Sequence, residues 1–237
     1  MPYICQATLD LGERQHEAIL AALSPARMAG YIAAVPAGGL KQAIALYAYN
    51  QTLSGLFFEL LANIEVTLRN RIHQQFSARY GRSDWFETVQ PMLSDARARD
   101  IDDALYSIRR GGDAPSAGRV IAKLSFGFWV ALFEIKHIDR FWTPTLRHIF
   151  PPIQVRKLHA DLRAIRDLRN SIAHHERILK YDLRNALAQA ETILQMISPA
   201  TADWSRARLS MPMRACMDEM DAYRQRYRAV DPHPNKI

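Results

Sequence analysis

Arg169, Asn170 and His174 are the residues whose types and spacing best match a chemical task, within the run Arg169-Asn170-Ser171-Ile172-Ala173-His174. Histidine titrates near neutral pH, so its ring can take a proton from a ribose 2′-hydroxyl or return one to a leaving oxygen. Arginine carries a fixed charge and forked donors that can neutralise charge growing on a phosphate. Asn170 precedes His174 by four positions, close enough on a helix for its amide to orient the ring. These groups suffice for metal-free RNA cleavage by transesterification. They also suffice to grip a phosphate without cutting it, or simply to bond helices together, and the spacing leaves these readings open.

The element that must carry them is a helix expected over residues 153–177. At about 100° per residue, Leu162, Ile165, Leu168 and Ile172 share one apolar face, with Arg163, Arg166, Asp167, Asn170, His174 and Arg177 opposite. Arg169 falls about 40° from Ile165, at the edge of the apolar stripe. A guanidinium there needs a carboxylate, a phosphate or a route to water. A second polar group, Glu65, Arg69 and Asn70, interrupts the apolar stretch of Ile64, Val66, Leu68 and Ile72. Glu65 can pair with Arg69 one turn on, or it can answer Arg169 and leave Arg69 to face a substrate. The candidate substrate contacts are therefore Glu65, Arg69, Asn70, Arg166, His175 and Arg177. His175 has a second reading, as a residue that packs or caps the helix. His174 and His175 would point about 100° apart and do not make a metal chelate. His73 is expected at the surface, and His16, His137, His148, His159 and His233 are expected to be structural.

The rest of the chain reads as helix, and one all-helical domain over 1–237 is the simplest organisation. An amphipathic helix is expected over 11–23, and Ser24-Pro25 should cap and start a second, short one. A long helical pattern over 40–80 ends at Gly81, with a bend expected near 50–55, where Asn, Thr, Ser and Gly cluster. Ser94 should cap a helix over 95–110 that Gly111-Gly112 stop. After a loop at 112–118, residues 119–135 carry Phe126, Trp129 and Phe133 at core spacing. Pro151-Pro152 mark a boundary. Asp182 should cap a helix ending near Ser198-Pro199, and a last helix spans about 212–228, before a frayed tail at 230–237.

Composition excludes several classes. Apolar residues make up 49% and charged residues 23%, which suits a globular chain rather than a disordered one. Residues 124–135 are too few to span a bilayer and include Glu134, and the opening ten residues lack a secretory pattern. Cys5 and Cys216 lie at opposite ends, which points away from a disulfide framework or zinc site. The cytoplasm is the expected compartment, with no membrane and no cofactor. The net charge is +7, and residues 140–228 hold 16 Lys/Arg against 9 Asp/Glu, so the whole excess sits there. Such asymmetry suits a polyanionic partner such as nucleic acid, or a solvated Arg-rich surface.

The run Arg166-Asp167-Leu168-Arg169-Asn170-Ser171-Ile172-Ala173-His174-His175-Glu176 resembles the Arg-x4-His signature of HEPN domains, with Asn170 in the polar place after the arginine. More broadly, the chain resembles the Abi-like, abortive-infection proteins of the AbiD/F type. The resemblance rests on Leu23-Ser24-Pro25 with Tyr31, Ala45-Leu46-Tyr47 with Asn50, Ile64-Glu65-Val66-Thr67-Leu68-Arg69-Asn70, and Leu124-Ser125-Phe126-Gly127-Phe128-Trp129, in that order. It implies a HEPN-like helical bundle with additional N- and C-terminal helices, a role in phage defence or a toxin–antitoxin system, and RNA as target. It further implies a homodimer in which two motifs meet, and a possible antitoxin or small-RNA partner. Arg169 and His174 would lie about 140° apart around a helix and about 7.5 Å along it, which a second copy or a kink would reconcile.

Overall fold

A computed structural model describes residues 11–228; Cys5, His233 and the tail at 230–237 lie outside the described residues. The described residues are all-α, with no strand. The helices are α1 (Glu13–Leu23), α2 (Pro25–Ile32), α3 (Gly39–Tyr80), α4 (Phe86–Val89), α5 (Asp95–Arg110) and α6 (Ala117–Lys123). They continue as α7 (Phe126–Ala131), α8 (Val155–Ala173), α9 (Leu183–Ile197), α10 (Pro199–Ser205) and α11 (Met211–Arg226). No described helix is long and apolar enough to cross a membrane.

Helix starts follow the capping chemistry. Ser24 Oγ accepts from Arg27 N–H at 3.4 Å with Pro25 next to it, and Asp182 Oδ1 accepts from Asn185 N–H at 3.0 Å. Ser94 stands at the N-cap of α5, although its side chain makes no capping bond there. Ser125 Oγ accepts from Phe128 N–H at 3.3 Å, and this cap divides the expected 119–135 helix into α6 and α7. Ser198 Oγ accepts from Thr201 N–H at 3.4 Å beside Pro199, which starts α10, a helix not expected from the sequence.

The bend expected near 50–55 is absent, and α3 runs unbroken for 42 residues. Two facts explain this. Leu46, Tyr49, Leu53, Phe57, Leu60, Ile64, Leu68, Ile72 and Phe76 recur at threes and fours, all buried, so the apolar seam passes straight through the polar cluster. The buried Asn50 turns its amide outward, Oδ1 accepting from Ile178 N–H at 2.9 Å rather than competing for its own helix. Gly55 costs such a helix only about 1 kcal/mol.

The chain forms two compact units from interleaved segments. Among the described residues, one takes 11–57, the segment Arg177–Lys180, and 208–228. Its core includes Met28, Tyr31, Tyr49, Ile178, Met213 and Tyr223, with Tyr49 and Tyr223 ring centroids 5.7 Å apart. The other takes Phe58–Glu176 and Tyr181–Ala207. There α8 packs against α7 and α9, burying Leu158, Leu162, Ile165, Leu168 and Ile172. The aromatic stripe is core as expected: Phe126, Trp129 and Phe133 are buried. Trp85 joins Trp129 to Phe76, whose ring lies 4.7 Å from Trp85 and 5.7 Å from Phe141.

His73 is half-buried rather than at the surface, because Trp85 Nε1–H donates to its Nδ1 at 2.9 Å. Burial holds His73, His137 and His159 below the ordinary imidazole value of 6.5; at His137 and His159 neighbouring cations add to this, partly countered by Glu134. The unfolded chain therefore takes up more protons than the fold as pH falls through 6.5. The stability these rings contribute is complete above that value and is lost on acidification. The raised carboxyls of Glu65 and Asp100 act in the opposite sense above their ordinary values of 4.5 and 3.8. Comparison with His73→Asn removes that background, since Asn Oδ1 can still accept from Trp85. The melting temperature is expected to fall less between pH 7 and 5.5 in His73→Asn than in the native chain, and equal falls would contradict the assignment.

Candidate functional site

Helix α8 carries the motif, and the structure ends it four residues before the expected Arg177. His174 is the C-cap, its N–H bonding to Asn170 C=O at 2.9 Å. His175 N–H bonds to Ile172 C=O at 2.9 Å and Glu176 N–H to Ser171 C=O at 2.8 Å, the paired closure of a Schellman turn. That turn needs a left-handed residue after the cap, usually glycine. Here His175 takes it, with φ +56°, at a cost of about 1–2 kcal/mol. His175 thus stands one place past the cap, within the turn that closes the helix, and is exposed.

Arg169 lies where the helix geometry put it, part-buried at the edge of the apolar face, and its Nε is 3.7 Å from Glu65 Oε2. That distance makes an ion pair without a hydrogen bond. Glu65 thus answers Arg169 rather than closing locally on Arg69, although Arg69 also draws on the carboxylate electrostatically. Burial pushes the Glu65 carboxyl up, against the downward pull of Arg169 and then Arg69. Arg69 Nε is buried and without a hydrogen-bond partner among the described residues. Two guanidinium groups thus act on one carboxylate.

Asn170, Asn70 and His174 are exposed. Asn170 and His174 are joined through the backbone, Asn170 C=O accepting from His174 N–H. Arg166 lies against its neighbour, Nη2 donating to Asp167 Oδ1 at 2.7 Å. Arg177 departs most from the helical expectation: it sits beyond the helix end in the first unit. Its Nη1 donates to Gly30 C=O, and its guanidinium lies 5.8 Å over the Tyr31 ring. A Cβ added to Gly30 would meet that Nη1 at 3.0 Å, so glycine is what admits the arginine. Arg177 thus packs against α2, where the sequence pattern had placed it on the polar face of the motif helix.

The sequence reading missed Ser171, Glu176 and Tyr181. Ser171 is 7% exposed, and its Oγ donates to Glu176 Oε2 at 2.9 Å and lies 2.7 Å from Tyr181 Oη. No glycine marks the helix end, so nothing local announced that these groups would turn back on the motif. Among the described residues, no group of three His, Cys, Asp or Glu is placed to hold a metal ion.

The model of the family described as Abi-like protein matches residues 36–180, more than half of the chain. No curated protein and no solved structure matches it. The matched span carries Glu65, Arg69, Arg169, Asn170 and His174, and the chain belongs to the Abi-like protein family.

Proposed function

We propose that this chain is a metal-independent RNA endonuclease of the HEPN type, acting from the cytoplasm in a phage-defence or toxin–antitoxin system. Family membership suggests abortive infection, the phage-defence response. The observation that carries the chemical reading is the end of α8, with an exposed His174 at the cap and Arg169 five positions earlier on a part-buried carboxylate.

His174 takes the proton of a ribose 2′-hydroxyl, the 2′-oxygen bonds to phosphorus, and the bond from phosphorus to the 5′-oxygen breaks. An imidazole returns a proton to that oxygen. The products carry a 2′,3′-cyclic phosphate and a 5′-hydroxyl. Arg169 neutralises the phosphoryl oxygens as charge grows on them, Asn170 orients the site, and Arg69, Asn70 and Arg166 supply contacts to the strand. His174 still caps helical backbone, so its offset from Arg169 stays at about 140° around the axis and about 7.5 Å along it. A homodimer that brings two motifs around one phosphate supplies the missing partner groups, and an antitoxin or small RNA would hold it inactive.

The Glu65–Arg169 pair favours one other reading: a non-catalytic RNA-binding Abi-like protein in which that pair only ties α8 to α3. Incubating the protein with mixed RNAs in EDTA separates the two. Cleavage leaving 2′,3′-cyclic ends supports the nuclease. Binding without cleavage, with or without added divalent ions, supports the alternative.

A further inference from the structure

We propose that Ser171, Glu176 and Tyr181 are positioning residues that fix the direction of His174. The proposal deepens the ribonuclease reading and rests on it for its effect on cleavage, though not for its structural content.

The six residues from Ser171 to Glu176 form a loop closed twice between the same two ends. Glu176 N–H donates to Ser171 C=O at 2.8 Å, and Ser171 Oγ donates to the Glu176 carboxylate at 2.9 Å. His174 and the left-handed His175 lie inside this closure. An ordinary Schellman end has its backbone closure alone. The second, through side chains, holds a turn that lacks the glycine such turns favour. A serine hydroxyl has one proton. With that proton on Glu176, the 2.7 Å contact to Tyr181 must run from the tyrosine O–H to Ser171 Oγ. The resulting chain, Tyr181 to Ser171 to Glu176, has one direction. It anchors the motif turn to the residue preceding Asp182, the cap of α9.

The loop is also set apart from the segment after it. Beyond Glu176 the chain contributes Arg177–Lys180 to the other unit and returns at Tyr181. Ser171 thus joins the two ends of that excursion, through Glu176 on one side and Tyr181 on the other. Without it, only backbone bonds would hold the turn bearing His174 where the chain leaves for a segment assigned to the other unit. A catalytic ring must hold its direction within a few tenths of an ångström to move a proton.

The test uses the full chain with isotope-labelled histidine, the His174 ring signals being assigned by their loss in His174→Ala. In Tyr181→Phe and Ser171→Ala these signals are expected to move and broaden, and Ser171→Thr, which keeps the hydroxyl, should restore them. Single-turnover cleavage of mixed RNA should fall roughly tenfold or more, with its pH profile shifted and RNA affinity within about twofold of native. Tyr181→Phe removes a single oxygen and keeps the experiment decisive if Ser171→Ala fails to fold. Unchanged His174 signals in Tyr181→Phe overturn the proposal, as does a parallel loss of affinity and cleavage. If the native chain cleaves no RNA, the ribonuclease reading falls and the ring signals alone decide the positioning role.

Discussion

His174→Ala is expected to lower RNA cleavage by about 10²- to 10⁴-fold, the range that a positioned general acid or base contributes. His174 is exposed, so the substitution opens no cavity and should leave melting temperature and RNA affinity near native. Arg169→Ala should also cost cleavage heavily, but with a structural signature, because it leaves the Glu65 carboxylate part-buried without its ion pair. Mixing the two variants reports how the site is shared. If Arg169 of one protomer works with His174 of its partner, a mixed dimer holds one complete set and recovers activity. If both groups act within one chain, every protomer lacks one and no activity returns. A His174→Ala chain that cleaves RNA at the native rate would remove the histidine from the mechanism.

The largest stability effect is expected at Phe76. Its ring is fully buried on α3 and meets Trp85, Phe141 and Tyr80, with centroids 4.7, 5.7 and 6.0 Å away. Phe76→Ala should cost about 3–5 kcal/mol, from lost burial plus the cavity left among rigid rings. In a chain of this size that lowers the melting temperature by roughly 10 °C. Phe58 is the contrast on the same helix: its ring is 46% exposed, and Phe58→Ala should stay within about 0.5 kcal/mol of native. Thermal unfolding followed by circular dichroism compares the two, and equal shifts would show that the aromatic cluster is not what holds this unit.

Part of the site was legible because charge leaves so few choices. Arg169 at the rim of an apolar face needed a carboxylate, a phosphate or a route to water, and it was one of two partners named for Glu65. Helix starts at Ser24 and Asp182 were legible because a hydroxyl or carboxylate before a helix has a definite task. The same chemistry at Ser125 and Ser198 went unread where it cut or followed an apolar run that already looked helical. The error at 50–55 ran the other way. Local breakers were weighted above a seam of buried side chains that persists to Phe76, and tertiary burial outweighs propensity of that size. The end of α8 was illegible for a specific reason, since His175 occupies the place where glycine would have signalled the stop. Arg177 followed from that error, because a residue past the end of a helix no longer belongs to any face of it.

The contacts that shape the motif differ greatly in how far apart their partners lie along the chain. Ser171 reaches Glu176 over five residues and Tyr181 over ten. Closing such short loops costs little chain entropy and is fast, on the scale of tens of nanoseconds for about ten residues. Arg169 meets Glu65 across more than a hundred residues, a contact that must wait until much of the chain is ordered. During refolding, then, the turn bearing the histidine should form early and locally, while the arginine gains its counter-charge late. An imidazole set in place before its cationic partner is secured means that, on the ribonuclease reading proposed above, a newly made chain would acquire the two halves of its chemistry in sequence, the long-range half last.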